Sequence, residues 1–233
     1  VFPLAATILL LVVILSPLTN RIINGRIEQE ADRRLAEIAD SIGALIENSE
    51  VLARNNAALL ASQPEVTGVF LNNSSSNRLL QIKEDLLLQE LSLYGADFKN
   101  GDQALFYGGP TVARRLQVSE DALRIREGLI LSALIDGSPV SGISISPQGS
   151  QIIGVAPVYN PQTNILVGVV LTAFYMDRPY IENIRSIINT DIAIVKDNAV
   201  VVSTIDESAG YEKLINEGWL TSAELPALNV NYS

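Results

Sequence analysis

From Val1 to Leu18 the chain carries no charged side chain, and the first basic residue is Arg21. A helix needs about 20 apolar residues to cross the hydrocarbon core of a bilayer, so this run is expected to be a transmembrane helix over residues 1–19. Everything beyond Asn20 has an ordinary soluble composition. The expected object is therefore a globular domain held beside a membrane. A cleavable signal fits less well, because no basic start precedes the run and Ser16-Pro17-Leu18-Thr19-Asn20 offers no small-x-small cleavage site.

The rest of the composition excludes more than it suggests. A formal charge of −10 repels phosphate backbones, so no nucleic-acid partner is expected. There is no His and no Cys. Zinc sites of the Cys/His type, Ser-His-Asp and Cys-His nucleophile systems and a phospho-accepting histidine are thereby removed. Asp177 and Glu182 could be offered as a carboxylate pair, but charges beside a helix N-terminus are usually partners of its dipole. Gly108-Gly109-Pro110 lies between two strand candidates and does not open a helix, which is not how a phosphate loop is built. Binding without turnover is expected, with no metal and no cofactor.

From Arg21 to Ser62 the residues are good helix formers. Leu35, Ile42, Ser49 and Asn56 fall on one heptad seam and Ile38, Leu45, Leu52 and Leu59 on the other, giving an apolar edge about seven turns long. That edge can cover a sheet of its own domain, or pair with the same helix of a second subunit to make a homodimer, or divide between the two. Pro64 closes the helix. A polar loop, Asn72 to Asn77, leads to a second helix expected from about Asn77 to Tyr94. Beyond Asp97 the period becomes that of strands. Strands are expected at Ala104 to Tyr107, Thr111 to Leu116, Val140 to Ser146, Ser150 to Tyr159 and Ile165 to Met176. A helix capped by Ser119 runs to Ile135 between the second and third. The last strand is apolar on both faces and should be central. Asp177 and Pro179 then occupy N-cap and first-turn positions of a helix to about Asn189. Ile192 to Lys196, Ala199 to Ile205 and a helical stretch around Tyr211 to Glu217 repeat the order of 104–135, with Asn229 to Tyr232 as a further strand start. The fold class is α+β, with a long N-terminal helix on an antiparallel five-stranded sheet and a second, partial module.

This order, with Ile153-Gly154-Val155-Ala156-Pro157-Val158-Tyr159, Leu166-Val167-Gly168-Val169-Val170-Leu171 and the strand pair Ile194 to Thr204, resembles the Cache family of extracytoplasmic, PAS-like sensor domains. The resemblance implies a stalk helix and second helix over 20–96, a membrane-distal module at 97–176, a connecting helix at 177–190 and a partial membrane-proximal module at 191–233. It also implies a small-molecule pocket between sheet and helix, occupancy of which is passed through the membrane helix to a kinase, cyclase or chemotaxis output. On that basis the chain is placed in a bacterial inner membrane, single-pass over this stretch, with its globular part outside the cytoplasm. The residues of the amino-acid-binding subgroup are missing, since Ala173 stands where that group has Asp and the only Trp is Trp219. The alternative is a membrane-tethered dimerisation module with no small-molecule ligand.

Candidate ligand residues follow from chemistry. Arg114, Arg115, Arg124 and Arg126 crowd together in an acidic chain, and a guanidinium fork suits a carboxylate or phosphate. They are either an anion site or solvated arginines paired with Glu120, Asp121 and Glu127. Tyr107, Tyr159 and Tyr175 come from three strands and could converge on one pocket or sit at the rim of the core. Ser144 and Ser146 share a strand face, and Thr172 is polar in an apolar strand. The expected ligand set is Tyr107, Arg124, Arg126, Ser144, Tyr159, Thr172 and Tyr175.

Overall fold

The computed structural model describes residues 2–71, 76–109, 120–146, 149–196 and 199–205, with side chains from residue 29 onward except 31, 76 and 199. The chain forms two units, 1–45 and 46–233. The first is the leading part of helix α1, Phe2–Ala61. There Arg33 and Arg34 each reach Glu30 at 3.2 Å on an exposed face, pairs of marginal value to stability. The expected membrane span falls on side chains outside the described residues; among the described residues no helix is long and apolar enough to cross a membrane.

In the second unit the end of α1 is followed by α2 (Pro64–Phe70), α3 (Ser76–Asp85), β1 (Glu90–Gly95) and β2 (Phe106–Gly108). Next come α4 (Glu120–Asp136), β3 (Val140–Ser146), β4 (Gly149–Tyr159), β5 (Leu166–Tyr175) and α5 (Arg178–Ile188). Five antiparallel strands pair in the order β2-β1-β5-β4-β3, which puts the doubly apolar β5 at the centre as expected. A separate hairpin, β6 (Ala193–Lys196) with β7 (Ala199–Ser203), forms the second, smaller sheet.

One strand differs from expectation. Residues 90–95 pair with β5 from Glu90↔Ala173 to Gly95↔Gly168, where the sequence reads as the end of a helix. That helix stops at Asp85, and Leu87 takes a left-handed φ of 54°. Leu88 N–H donates to the Lys83 carbonyl and Leu87 N–H to the Glu84 carbonyl, the paired bonds of a Schellman stop. After it Glu-Leu-Ser-Leu-Tyr alternates with period two and is a strand. The expected strand 111–116 lies outside the described residues. So do the turn residues 147–148 and 197–198 and the expected elements at 211–217 and 229–232.

The two faces of the sheet divide the work. Ala53, Ala57 and Leu60 of α1 are fully buried, with Val66, Leu79, Leu91, Leu93 and Val170 in the same layer. The helix comes so close to β4 that a Cβ on Gly154 would lie 2.2 Å from the Ala53 carbonyl oxygen. That carbonyl also accepts from the Thr172 hydroxyl at 3.3 Å. The opposite face carries α4, whose Ile130 and Ala133 pack on Ile153, Val155 and Leu171.

Candidate functional site

Period-two geometry decides which side chains share the α4 face: Glu90, Ser92 and Tyr94 of β1, Tyr107 of β2, Ser144 and Ser146 of β3, Gln151 of β4 and Tyr175 of β5. Toward one end of that face α4 covers apolar residues and the layer is solid. Toward the other, polar strand positions replace them and leave a cavity of about 1130 Å³, ample for a metabolite-sized ligand. Its wall includes Glu90, Tyr94, Tyr107 and Ser144 from the sheet, and Arg126 and Ile130 from α4. Tyr94 packs edge-on to Phe98, with ring centroids 5.2 Å apart, which stiffens one side.

The strongest electrostatic feature of that wall is an ion pair. Glu90 is 1% exposed and Arg126 15% exposed. Arg126 Nη1 donates to Glu90 Oε2 at 3.1 Å and Nη2 to Glu90 Oε1. Nη2 also reaches Ser92 Oγ at 3.4 Å and Tyr94 Oη at 3.3 Å, while the Ser92 hydroxyl donates to Glu90 Oε1 at 2.7 Å. Burial works against the guanidinium charge, but the Glu90 carboxylate and the Tyr94 hydroxyl outweigh it and hold the Arg126 pKa above its ordinary value. The other wall carboxylates also have partners. Asp102 accepts from Lys99 N–H at 2.7 Å and Glu127 from Gly101 N–H at 2.8 Å. Asp177 accepts from Tyr180 N–H at 3.2 Å as the N-cap of α5, and from Gln89 at 3.3 Å.

Of the residues expected to bind ligand, Tyr107, Arg126, Ser144 and Tyr175 border the cavity, and so does Ser146. Three are elsewhere. Arg124 is 78% exposed beside Asp121. Tyr159 lies at the far end of β4, where its hydroxyl donates to the Gly137 carbonyl at 3.3 Å. Thr172 is buried on the opposite face, under α1. Arg114 and Arg115 lie outside the described residues. Arg126 pairs with Glu90 and not with the helix neighbours Glu120, Asp121 or Glu127. Sequence pattern does not single out Glu90, Tyr94 and Gln151, which also border the cavity; the first two fall where the residues read as helix but form β1.

A five-stranded antiparallel sheet with a long helix on one face and a polar cavity under a helix on the other is the frame of a sensory domain. Residues 28–223 match the family described as the double sensory domain of two-component sensor kinases, and the chain belongs to this Cache family. The periplasmic domain of Vibrio cholerae LuxQ shares the fold at 16% identity, with a TM-score of 0.54 over 78% of this chain and 84% of that one. A selenomethionine crystal structure of the same domain gives 17% identity and a TM-score of 0.52 over 73% and 78%. A sequence comparison with curated proteins finds no match.

Proposed function

We propose that this chain is the extracytoplasmic, ligand-sensing input domain of a membrane-bound signalling receptor. The cavity beneath α4 takes a small polar molecule, and occupancy is relayed through α1 to a membrane helix at residues 1–19. The carrying observation is the cavity itself, where the sheet face changes from apolar packing to Glu90, Tyr107, Ser144 and Tyr175 within a family of sensory domains. A domain with no guest would gain by filling that space with its own apolar side chains. The uncharged run at 1–18 supports the anchor. Homodimerisation through α1 belongs to the same reading, because Leu52 and Leu59, on the heptad seam, are 54% and 50% exposed.

The test is a thermal-shift screen of the domain against organic acids, amines, polyols and nucleobases. A ligand present at a hundred times its Kd should add about 2.7 kcal/mol of stability. Replacing Ser144 by Leu, which projects a larger apolar side chain into the cavity, should abolish that shift while the protein still folds. A shift unaffected by Ser144→Leu would move the ligand elsewhere. No shift with any compound, together with a dimer that Leu52→Glu dissociates, would favour the dimerisation module.

A further inference from the structure

An arginine on the wall of a sensor's cavity invites a ligand carboxylate or phosphate, and the sequence offers Arg126 for that part. The geometry points to the opposite: we propose that Glu90 is a specificity-determining residue that fills the Arg126 fork with the protein's own carboxylate, so that the site takes ligands lacking an anionic head. The proposal rests on reading the cavity as the ligand site and deepens it.

Glu90 meets Arg126 with both oxygens, one on each terminal nitrogen, as a bound carboxylate would. It is built into β1 opposite Ala173, so the backbone ladder fixes its approach, and the Ser92 hydroxyl bonds Oε1 from the same strand face. Tyr94 Oη lies within reach of Arg126 Nη2 as well. A free carboxylate would have to displace a tethered one, which enjoys a far higher effective concentration. It would also leave Glu90, 1% exposed, buried without its cation. Breaking one side of a buried pair of this kind weakens binding roughly a hundredfold or more. The remaining wall sets the neutral groups of Tyr107, Ser144, Ser146 and Gln151, which suit hydroxyl-rich or amide-bearing molecules, beside Lys83, Arg178, Asp102, Glu127 and Asp177; of these cations Arg178 is held by Glu182 at 2.8 Å.

Acetate is the probe, because it is the Glu90 head group detached from the chain. Glu90→Ala, titrated with sodium acetate against sodium chloride at equal ionic strength, should gain several degrees of Tm in a saturable manner with acetate alone. Wild type should show no acetate-specific gain, and the double variant Glu90→Ala/Arg126→Gln should lose it. Should Glu90→Ala be unfolded in chloride, the readout becomes recovery of the folded far-ultraviolet spectrum by acetate, and no recovery overturns the proposal. Equal responses to the two salts, rescue that persists in the double variant, or acetate or succinate binding by wild type that Arg126→Gln abolishes, would each overturn it too. A wild-type cavity silent to every ligand while acetate still rescues Glu90→Ala would sink the sensing function and with it the specificity role, leaving only that Glu90 fills the Arg126 fork.

Discussion

Gly154→Ala should be among the most damaging single-methyl additions available in this fold. The new Cβ would stand 2.2 Å from the Ala53 carbonyl oxygen, 2.4 Å from its carbon and 2.8 Å from Arg54 N, whereas ordinary contact begins near 3.4 Å. All three obstacles are helix backbone, so no side-chain rotation relieves the clash. The end of α1 must lift by about 1.2 Å, as the gap between those contact distances requires. Overpacking of this kind costs about 1–3 kcal/mol. Lifting also breaks the Thr172 bond to Ala53, now 3.3 Å long, for about 1 kcal/mol more. A total of about 2–4 kcal/mol corresponds to a fall in Tm of about 5–15 °C for a unit of this size. Urea and thermal unfolding followed by circular dichroism would measure it. Gly128→Ala is the control: it lies in the interior of α4, has nothing within 4 Å of its added Cβ, and should stabilise by about 0.5–1 kcal/mol. If Gly154→Ala changed stability by less than about 0.5 kcal/mol, the close seating of α1 on β4 would be wrong.

Leu87→Gly should raise stability by about 1 kcal/mol, since Leu87 is 83% exposed and holds a left-handed backbone that glycine adopts without strain; chemical denaturation reads the gain, and a loss would contradict the Schellman stop. Glu50, half-buried, has its pKa raised by burial and by Glu47, against a smaller opposing effect of Arg54. A raised folded-state pKa means that the charged form disfavours the fold. Glu50→Gln should therefore raise Tm at pH 7, with the advantage fading as pH falls through the carboxylate range and wild-type Glu50 becomes neutral; a pH-independent difference would refute this. The Tyr180 hydroxyl, its pKa raised by burial, lies 3.0 Å from Ser49 of α1. Tyr180→Phe should cost about 0.5–1.5 kcal/mol, and a double-mutant cycle with Ser49→Ala should show coupling, whereas additive losses would separate α5 from α1.

The sequence was most legible where local signals and tertiary environment agree. Asp177 and Pro179 start α5 as read, Asn189 ends it in the left-handed region, and β3, β4 and β5 fall within a residue or so of their expected bounds. β1 was lost because Leu86 to Leu93 consists of good helix formers, and the stop relies on a leucine where glycine is usual. Its alternation was visible all the same. The ligand set was too generous for reasons that parity and pitch could have supplied. Thr172 and Tyr175 differ by three on one strand and face opposite sides. Tyr159 and Gln151 share a face but stand eight residues apart, about 27 Å along a strand. Arg124 and Arg126 are separated by about 200° around a helix, so one facing the sheet turns the other to solvent. The Glu90 partnership lies beyond local reading, because it joins residues 36 positions apart through a strand whose residues favour helix.

The order β2-β1-β5-β4-β3 makes the main sheet two hairpins clasped by one late-arriving strand. β1 pairs with partners about eighty residues downstream, and closing so long a loop delays assembly. A nascent chain halted before Leu166 holds β1-β2 and β3-β4 as strangers, with raw edges on both. Synthesis of β5 joins them at a stroke, so the sensory domain is born whole or not at all, and truncations upstream of that strand should appear in cells only as aggregate or as fragments cleared by proteolysis.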